Sequence, residues 1–376
     1  MLRRGCPAAV AVAVSTALLP LSAAHAAAPA PTVNRATVDA FGRVADAVFT
    51  DRTNALLDHV RTARTAVKPV GGVHLTAGLA RTEYRALSAL HGTRSRLAAL
   101  DEAYTAGDSR VTVDSTRIRG RKATVSVTET TVLTYKRVRG DEPPTTGFTA
   151  HHDLTFTAQP DGTWQLSGIR LTDSGPRPVN EPAPAAASVP VRPGAVIDAP
   201  RASTAYPAPA KPKKLTGRAY DYKAMAQYAE KYWKNYNRSY RSFARARGGG
   251  DCTNFLSQSL NAGGWKKINS SRESYGTWWY GSRDQSDTWV GVNEWSWFAQ
   301  TAKRTTALKY AYQMDKGDVL QMDFNRDGEK DHTLMTTYRG STGVPYLTYH
   351  SLDTYRRSLP SIVASNPNSF YYAYRT

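Results

Sequence analysis

The chain has 376 residues, 41% of them hydrophobic, and its 49 Lys and Arg against 31 Asp and Glu leave a net charge of +18. That length and apolar content support two domains with packed cores, and the charge attracts anionic partners. Zinc-finger spacing, an RNA-binding signature and long basic runs are absent, so no specific nucleic-acid partner is expected, and either an anionic cell envelope or plain solubility accounts for the charge.

Residues 1–26 read as an export signal. Arg3 and Arg4 precede an apolar stretch from Ala8 to Leu21, and Ala24-His25-Ala26 offers small residues for cleavage. The stretch is short for a membrane span. A secreted protein, extracellular or held at the envelope, is the expectation. Cleavage there removes Cys6 and leaves Cys252 as the single cysteine. A lone thiol in an oxidising compartment must be buried, paired between chains, or used.

Residues 32–175 begin with helical patterning, Val38, Phe41, Ala45, Val48 and Phe49 recurring at three- and four-residue steps. A second helical stretch runs from Leu79 to Tyr104. Alternation then takes over. Val111 and Val113 predict one strand, Ala123, Val125 and Val127 a second, and Leu154, Phe156 and Ala158 a third. Asp161-Gly162 turns the chain into a fourth with Trp164 and Leu166. Helices followed by an antiparallel meander predict a small α+β accessory domain. Cystatin-like and nuclear-transport-factor-like folds are architectural analogies for it.

Residues 176–214 are rich in Pro and Ala and are expected to form an extended, mobile linker. Residues 215–376 hold seven of the eight tryptophans, and His332 and His350 are their only histidines. Here Gly248-Gly249-Gly250 breaks an aromatic helix carrying Tyr228, Tyr232, Trp233 and Tyr236. Phe255, Leu256 and Leu260 give the next helix an apolar face, and Gly263-Gly264 ends it. Cys252 therefore falls at a helix start, where the partial positive charge favours a thiolate and free main-chain N–H groups can bind an oxyanion. The three glycines would let a substrate approach the backbone. Asp251 reads as a helix cap.

A thiolate needs a proton acceptor. His332 opens a predicted strand to Tyr338, and Tyr346 to His350 runs back beside it. His350 would then orient the ring of His332. On spacing alone the arrangement reads equally as a catalytic pair and as an inert core cysteine near a satisfied strand histidine.

The run Asp251-Cys252-Thr253-Asn254-Phe255-Leu256-Ser257-Gln258, then Gly263-Gly264-Trp265, resembles the signature of the bacterial putative amidase domain family. Gly317-Asp318-Val319-Leu320 and His350-Ser351 match further. The resemblance covers the whole third region. It implies a papain-like α+β fold related to the NlpC-type and CHAP cell-wall hydrolases, with the nucleophile helix packed on an antiparallel sheet. It also implies Cys252 as nucleophile, His332 as general base and acid, and His350 as the orienting residue. Glycines stand where papain places a Gln, so the oxyanion site would use main-chain N–H groups, and Gln258 reads as structural.

The implied activity is a cysteine amidase or peptidase, without cofactor or metal, acting as a monomer on a peptide or peptidoglycan-like amide. The rival readings are an amide-forming acyltransferase and an inactive cell-wall binding module of the same fold. Asp323, Asn325, Asp327, Gly328 and Asp331 follow a calcium-loop spacing, but Leu334 stands where its bidentate Glu belongs, so a polar hairpin turn is expected. Trp278, Trp279, Trp289, Trp295 and Trp297 are expected to divide between the core and the wall of a substrate groove.

Overall fold

The computed structural model describes residues 33–58, 67–183, 199–216, 219–243 and 250–376. The export signal with Cys6, the middle of the expected linker, and Gly248 and Gly249 lie outside the described residues. In chain order the elements begin with α1 (Arg35–Asn54), β1 (Val73–Leu75), α2 (Ala77–Ala99), β2 (Tyr104–Arg119), β3 (Lys122–Tyr135), β4 (Thr145–Ala158) and β5 (Trp164–Leu171). They continue with α3 (Tyr222–Tyr232), α4 (Cys252–Ala262), α5 (Asp287–Val290), α6 (Val292–Thr301), β6 (Thr306–Leu308), β7 (Val319–Asp323) and β8 (His332–Arg339). The last four are β9 (Pro345–Tyr349), β10 (Asp353–Ser358), α7 (Leu359–Ser365) and β11 (Phe370–Arg375).

The molecule is mixed α+β. The side chain of Asn34 caps α1 by accepting from the Thr37 N–H, and Thr76 caps α2 by accepting from that of Leu79. The three- and four-residue spacing in α1 buries Phe41, Val44, Ala45 and Phe49 against the inner faces of the meander. Phe41 stacks on Phe156 at 4.1 Å between centroids and meets Trp164 edge-on. Alternation along β3 puts Ala123, Val125 and Val127 in the same core.

Eleven strands join in one sheet, ordered β1-β5-β4-β10-β9-β8-β7-β11-β6, with β3 also on β4 and β2 on β3. One edge of β4 is covered by β3. The other is shared: β5 pairs with His152 to Ala158, and β10 pairs with Gly147 to Thr149. The two predicted regions are therefore hydrogen-bonded into a continuous sheet.

Both ends of the expected linker are packed, which corrects the picture of an extended, mobile connection. Val179 is core, and the buried Asn180 donates to Thr53 Oγ1 at 2.9 Å and Glu129 Oε1 at 2.6 Å. Glu181 pairs with Arg52, which also forks onto Glu83. Arg177 donates its main-chain N–H to Asn366 Oδ1 and accepts from Arg357 Nη1. Further on, Ala202 and Ser203 donate main-chain bonds to Tyr371 and Lys309, and Lys213 pairs with the buried Asp318. A Pro/Ala-rich composition lowers the intrinsic drive to form helix or strand, but it does not stop a few buried polar bonds from fixing the chain.

The tryptophans resolve mostly as core. Trp265, Trp278, Trp289 and Trp295 are buried together with Phe298 and Leu260, while Trp279 and Trp297 are half-buried. No helix among the described residues is long and apolar enough to cross a membrane.

Candidate active site

Cys252 is the first residue of α4 and is 4% exposed. The residues around it explain why the local sequence is so polar for a buried helix. Asn254 Oδ1 accepts from the Trp289 indole, and Ser257 Oγ accepts from that of Trp278 while donating to the Trp289 carbonyl. Gln258 accepts from the Tyr228 hydroxyl, in keeping with a structural role. Buried indole N–H groups need acceptors, and this face of α4 supplies them for Trp278 and Trp289.

Asp251 is not a side-chain cap. Its Oδ1 accepts from Phe243 N and Asn254 Nδ2, and its Oδ2 lies 2.8 Å from His350 Nδ1. Gly250 allows a close approach of a different kind from the one expected. A Cβ there would sit 2.1 Å from Ser351 Oγ, the atom that accepts from the Asp251 N–H.

The thiol faces the start of β8. The Thr333 and Thr253 N–H groups and the Thr253 hydroxyl, 3.7 Å away, favour its ionised form. Burial outweighs them and pushes the Cys252 thiol above its ordinary value. Burial thus works against the helix-start thiolate expected from sequence. Thr253 and Thr333 also meet through their hydroxyls at 3.1 Å, tying α4 to β8. The sequence reading missed both threonines, and only their adjacency to Cys252 and His332 marks them.

His332 is 1% exposed, and its Nε2 lies 3.0 Å from the main-chain oxygen of His350. A carbonyl only accepts, so Nε2 carries the proton and the neutral ring presents a bare Nδ1. That Nδ1 is buried and has no hydrogen-bond partner among the described residues. Burial drives the His332 pKa down to about 3, with the His350 oxygen opposing it only in part. The ring sits edge-on to Tyr349 and 6.3 Å from Phe324. Cys252 thus meets the main chain at the start of β8, where His332 stands, and no thiol–imidazole hydrogen bond forms among the described residues.

His350 reaches His332 through its main chain, not through its ring as expected. The ring is sandwiched between Tyr236 and Phe255, at 3.9 and 3.8 Å, and lies between the Asp251 carboxylate and the Tyr232 carbonyl. The next two residues, Ser351 and Leu352, have φ of 62° and 101°. Such values are strained outside glycine, and the burial of Leu352 in the core helps to offset the cost.

The calcium-like loop is closed on its own main chain. Asp323 accepts from the N–H groups of Arg326 and Gly328, Asp327 from Glu329, and Asp331 from Phe324. Among the described residues, no group of three or more His, Cys, Asp or Glu is placed to hold a metal ion.

Residues 219–374 match a family model described as "Putative amidase domain", so the C-terminal region is similar to that family. Two relatives come from Bacillus subtilis (strain 168). "Uncharacterized protein YhbB" is 30% identical over 146 residues, 38% of this chain and 45% of that protein. "Uncharacterized protein YjcM" is 31% identical over 147 residues, 36% of this chain and 32% of that protein. The chain therefore spans less than half the length of either relative. A crystal structure of the Kfla4162 protein from Kribbella flavida aligns with 36% of this chain and 86% of its own, at 20% identity and a TM-score of 0.22. That likeness carries no argument about the fold.

Proposed function

We propose that the protein is a secreted cysteine hydrolase of amide bonds, with a papain-like C-terminal region acting on a peptidoglycan-like peptide at an anionic envelope. The observation that carries this reading is the bare, buried Nδ1 of His332, held in its tautomer by the His350 carbonyl beside the end of β8 that the Cys252 thiol faces. Catalytic hydrogen bonds are often long before substrate binds.

In the proposed reaction the resting pair is neutral. As Sγ attacks the amide carbon, the thiol proton passes to Nδ1 and the carbonyl electron pair moves to oxygen. N–H groups at the start of α4 are suited to bind that oxyanion. The tetrahedral intermediate collapses, the C–N bond breaks, and Nδ1–H protonates the leaving amine. Water then attacks the thioester, giving its proton to Nδ1, and the thiol is regenerated with release of the acid.

The test is release of new amino groups from purified peptidoglycan fragments by the purified protein, alongside Cys252→Ala. Loss of release in the variant supports the reading, and equal release overturns it. The depth of Cys252 and the missing thiol–imidazole bond favour a second reading, a binding module without turnover. Saturable binding of the same fragments with no release by the unaltered protein would establish that one instead.

A further inference from the structure

The segment that follows β5 passes beside the candidate site. At Gly175 a Cβ would lie 1.6 Å from Ser351 O, and at Gly250 a Cβ would lie 3.0 Å from Ser174 Oγ. This segment walls a cavity of about 230 Å3 whose other side includes Phe324 and Ser369. Phe324 lies against the His332 ring. The cavity thus adjoins the histidine side of the site through Phe324 and the cysteine side through Ser174.

Arg177 lines this cavity. Its main chain is pinned on both sides, by Asn366 and by Arg357, so the point from which the side chain leaves the backbone is set by the fold. The guanidinium has no hydrogen-bond partner among the described residues. Burial lowers its pKa, and the Glu181 carboxylate acts on it only at longer range, being itself bonded to Arg52. A partly desolvated guanidinium, with five donors and no acceptor of its own, is suited to bind a carboxylate or phosphate.

The surroundings choose between these. Asp173 also lines the cavity, and Glu181 is close in charge terms. Two carboxylates repel a dianionic phosphate more than a monoanionic carboxylate. The cavity is also smaller than the roughly 300–1,000 Å3 of a drug-sized site, so it suits one residue of a peptide.

We propose that this cavity is a substrate subsite built jointly by the two regions, and that Arg177 anchors in it a carboxylate of the peptide being cleaved. The inference rests on Cys252 and His332 being the reacting pair. The N-terminal region then helps to select the substrate.

The experiment is calorimetric titration of the full chain carrying Cys252→Ala, which cannot turn over. The probes are N-acetyl-alanyl-alanine, its C-terminal amide, and N-acetyl-glutamate amide. The expected result is that one of the two carboxylate probes binds about ten- to a hundredfold more tightly than the neutral amide, the scale of a charge-assisted contact. Which one binds distinguishes a terminal from a side-chain carboxylate. Arg177→Gln, checked for an unchanged melting temperature, should abolish the difference, and Arg177→Lys should keep part of it. If Arg177→Gln fails to fold, Arg177→Met, which keeps the apolar stem without the charge, replaces it in the same comparison. Equal binding of all three probes, or a preference that survives removal of the charge, overturns the proposal. Neither outcome touches the hydrolase reading, which is judged by amino-group release from the unaltered protein.

Discussion

His332 Nε2 donates to the main-chain oxygen of His350 at 3.0 Å, while the His350 ring is engaged 2.8 Å away by Asp251. One residue thus serves two different partners with two different groups. Replacing its side chain removes the Asp251 contact, with the ring's packing on Tyr236 and Phe255, and leaves the bond to His332 in place.

The consequence is a separation between His332 and His350 in mutagenesis. If His332 is the base, His332→Ala should lower kcat by about 10²–10⁴-fold, the usual contribution of general acid–base catalysis. His350→Asn should lower kcat by less than about tenfold while leaving the Asp251 carboxylate short of a donor, at about 1–3 kcal/mol of stability. Steady-state kinetics and urea unfolding on both variants check this. A collapse of kcat in His350→Asn at unchanged stability would put the ring in the chemistry.

Acid stability follows from the buried imidazole. The folded-state pKa of His332 is about 3, below its ordinary value of 6.5, so between these values the unfolded chain binds the extra proton. Stability contributed by the neutral ring is complete above about pH 6.5 and is lost as pH falls toward 3, at up to about 1.4 kcal/mol per pH unit. Urea midpoints measured from pH 7 to 4 should fall less steeply in His332→Phe than in the unaltered protein.

The thiol should be slow to react. Burial raises Cys252 above the ordinary thiol value, and the folded protein exposes little of it. Iodoacetamide should alkylate it slowly at pH 7, with no reactive step below pH ~8, and quickly once urea unfolds the chain. A fast reaction persisting to pH 5 would mean that a thiolate–imidazolium pair already exists at rest.

The seam around Asn180 should be costly to break. Asn180→Ala leaves Glu129 Oε1 with one fewer donor inside the fold, and a buried unsatisfied group costs about 1–3 kcal/mol. Arg52→Ala strands Glu83 and Glu181, and breaking a buried ion pair costs about 3–5 kcal/mol. Chemical denaturation of both variants measures the difference, with Arg52→Ala the worse.

The sequence made the elements legible where their periodicity was strong. Alternation at Ala123, Val125 and Val127 marks β3, and the spacing of Phe41, Ala45 and Phe49 marks α1. That Cys252 opens a helix and His332 opens a strand was also foreseeable, because both starts are local features. The pairing of β4 with β10 was not, since nothing local at Phe148 or Thr354 marks that partner. Asn180 was hidden for another reason: a polar residue in a Pro/Ala-rich run reads as exposed, and hydrogen bonds to Thr53 and Glu129 bury it. The ring of His350 was assigned to His332 because sequence gives the position of a side chain but not which of its groups, ring or carbonyl, makes the contact.

The shared edge of β4 bears on how this protein should be handled. A fragment cut to the amidase-family residues would leave Asp353, Thr354 and Tyr355 without the ladder that Gly147, Phe148 and Thr149 provide. An open strand edge invites pairing with another chain. Insolubility of such a fragment would then report a missing neighbour in the sheet and say nothing against the chemistry of the residues it contains.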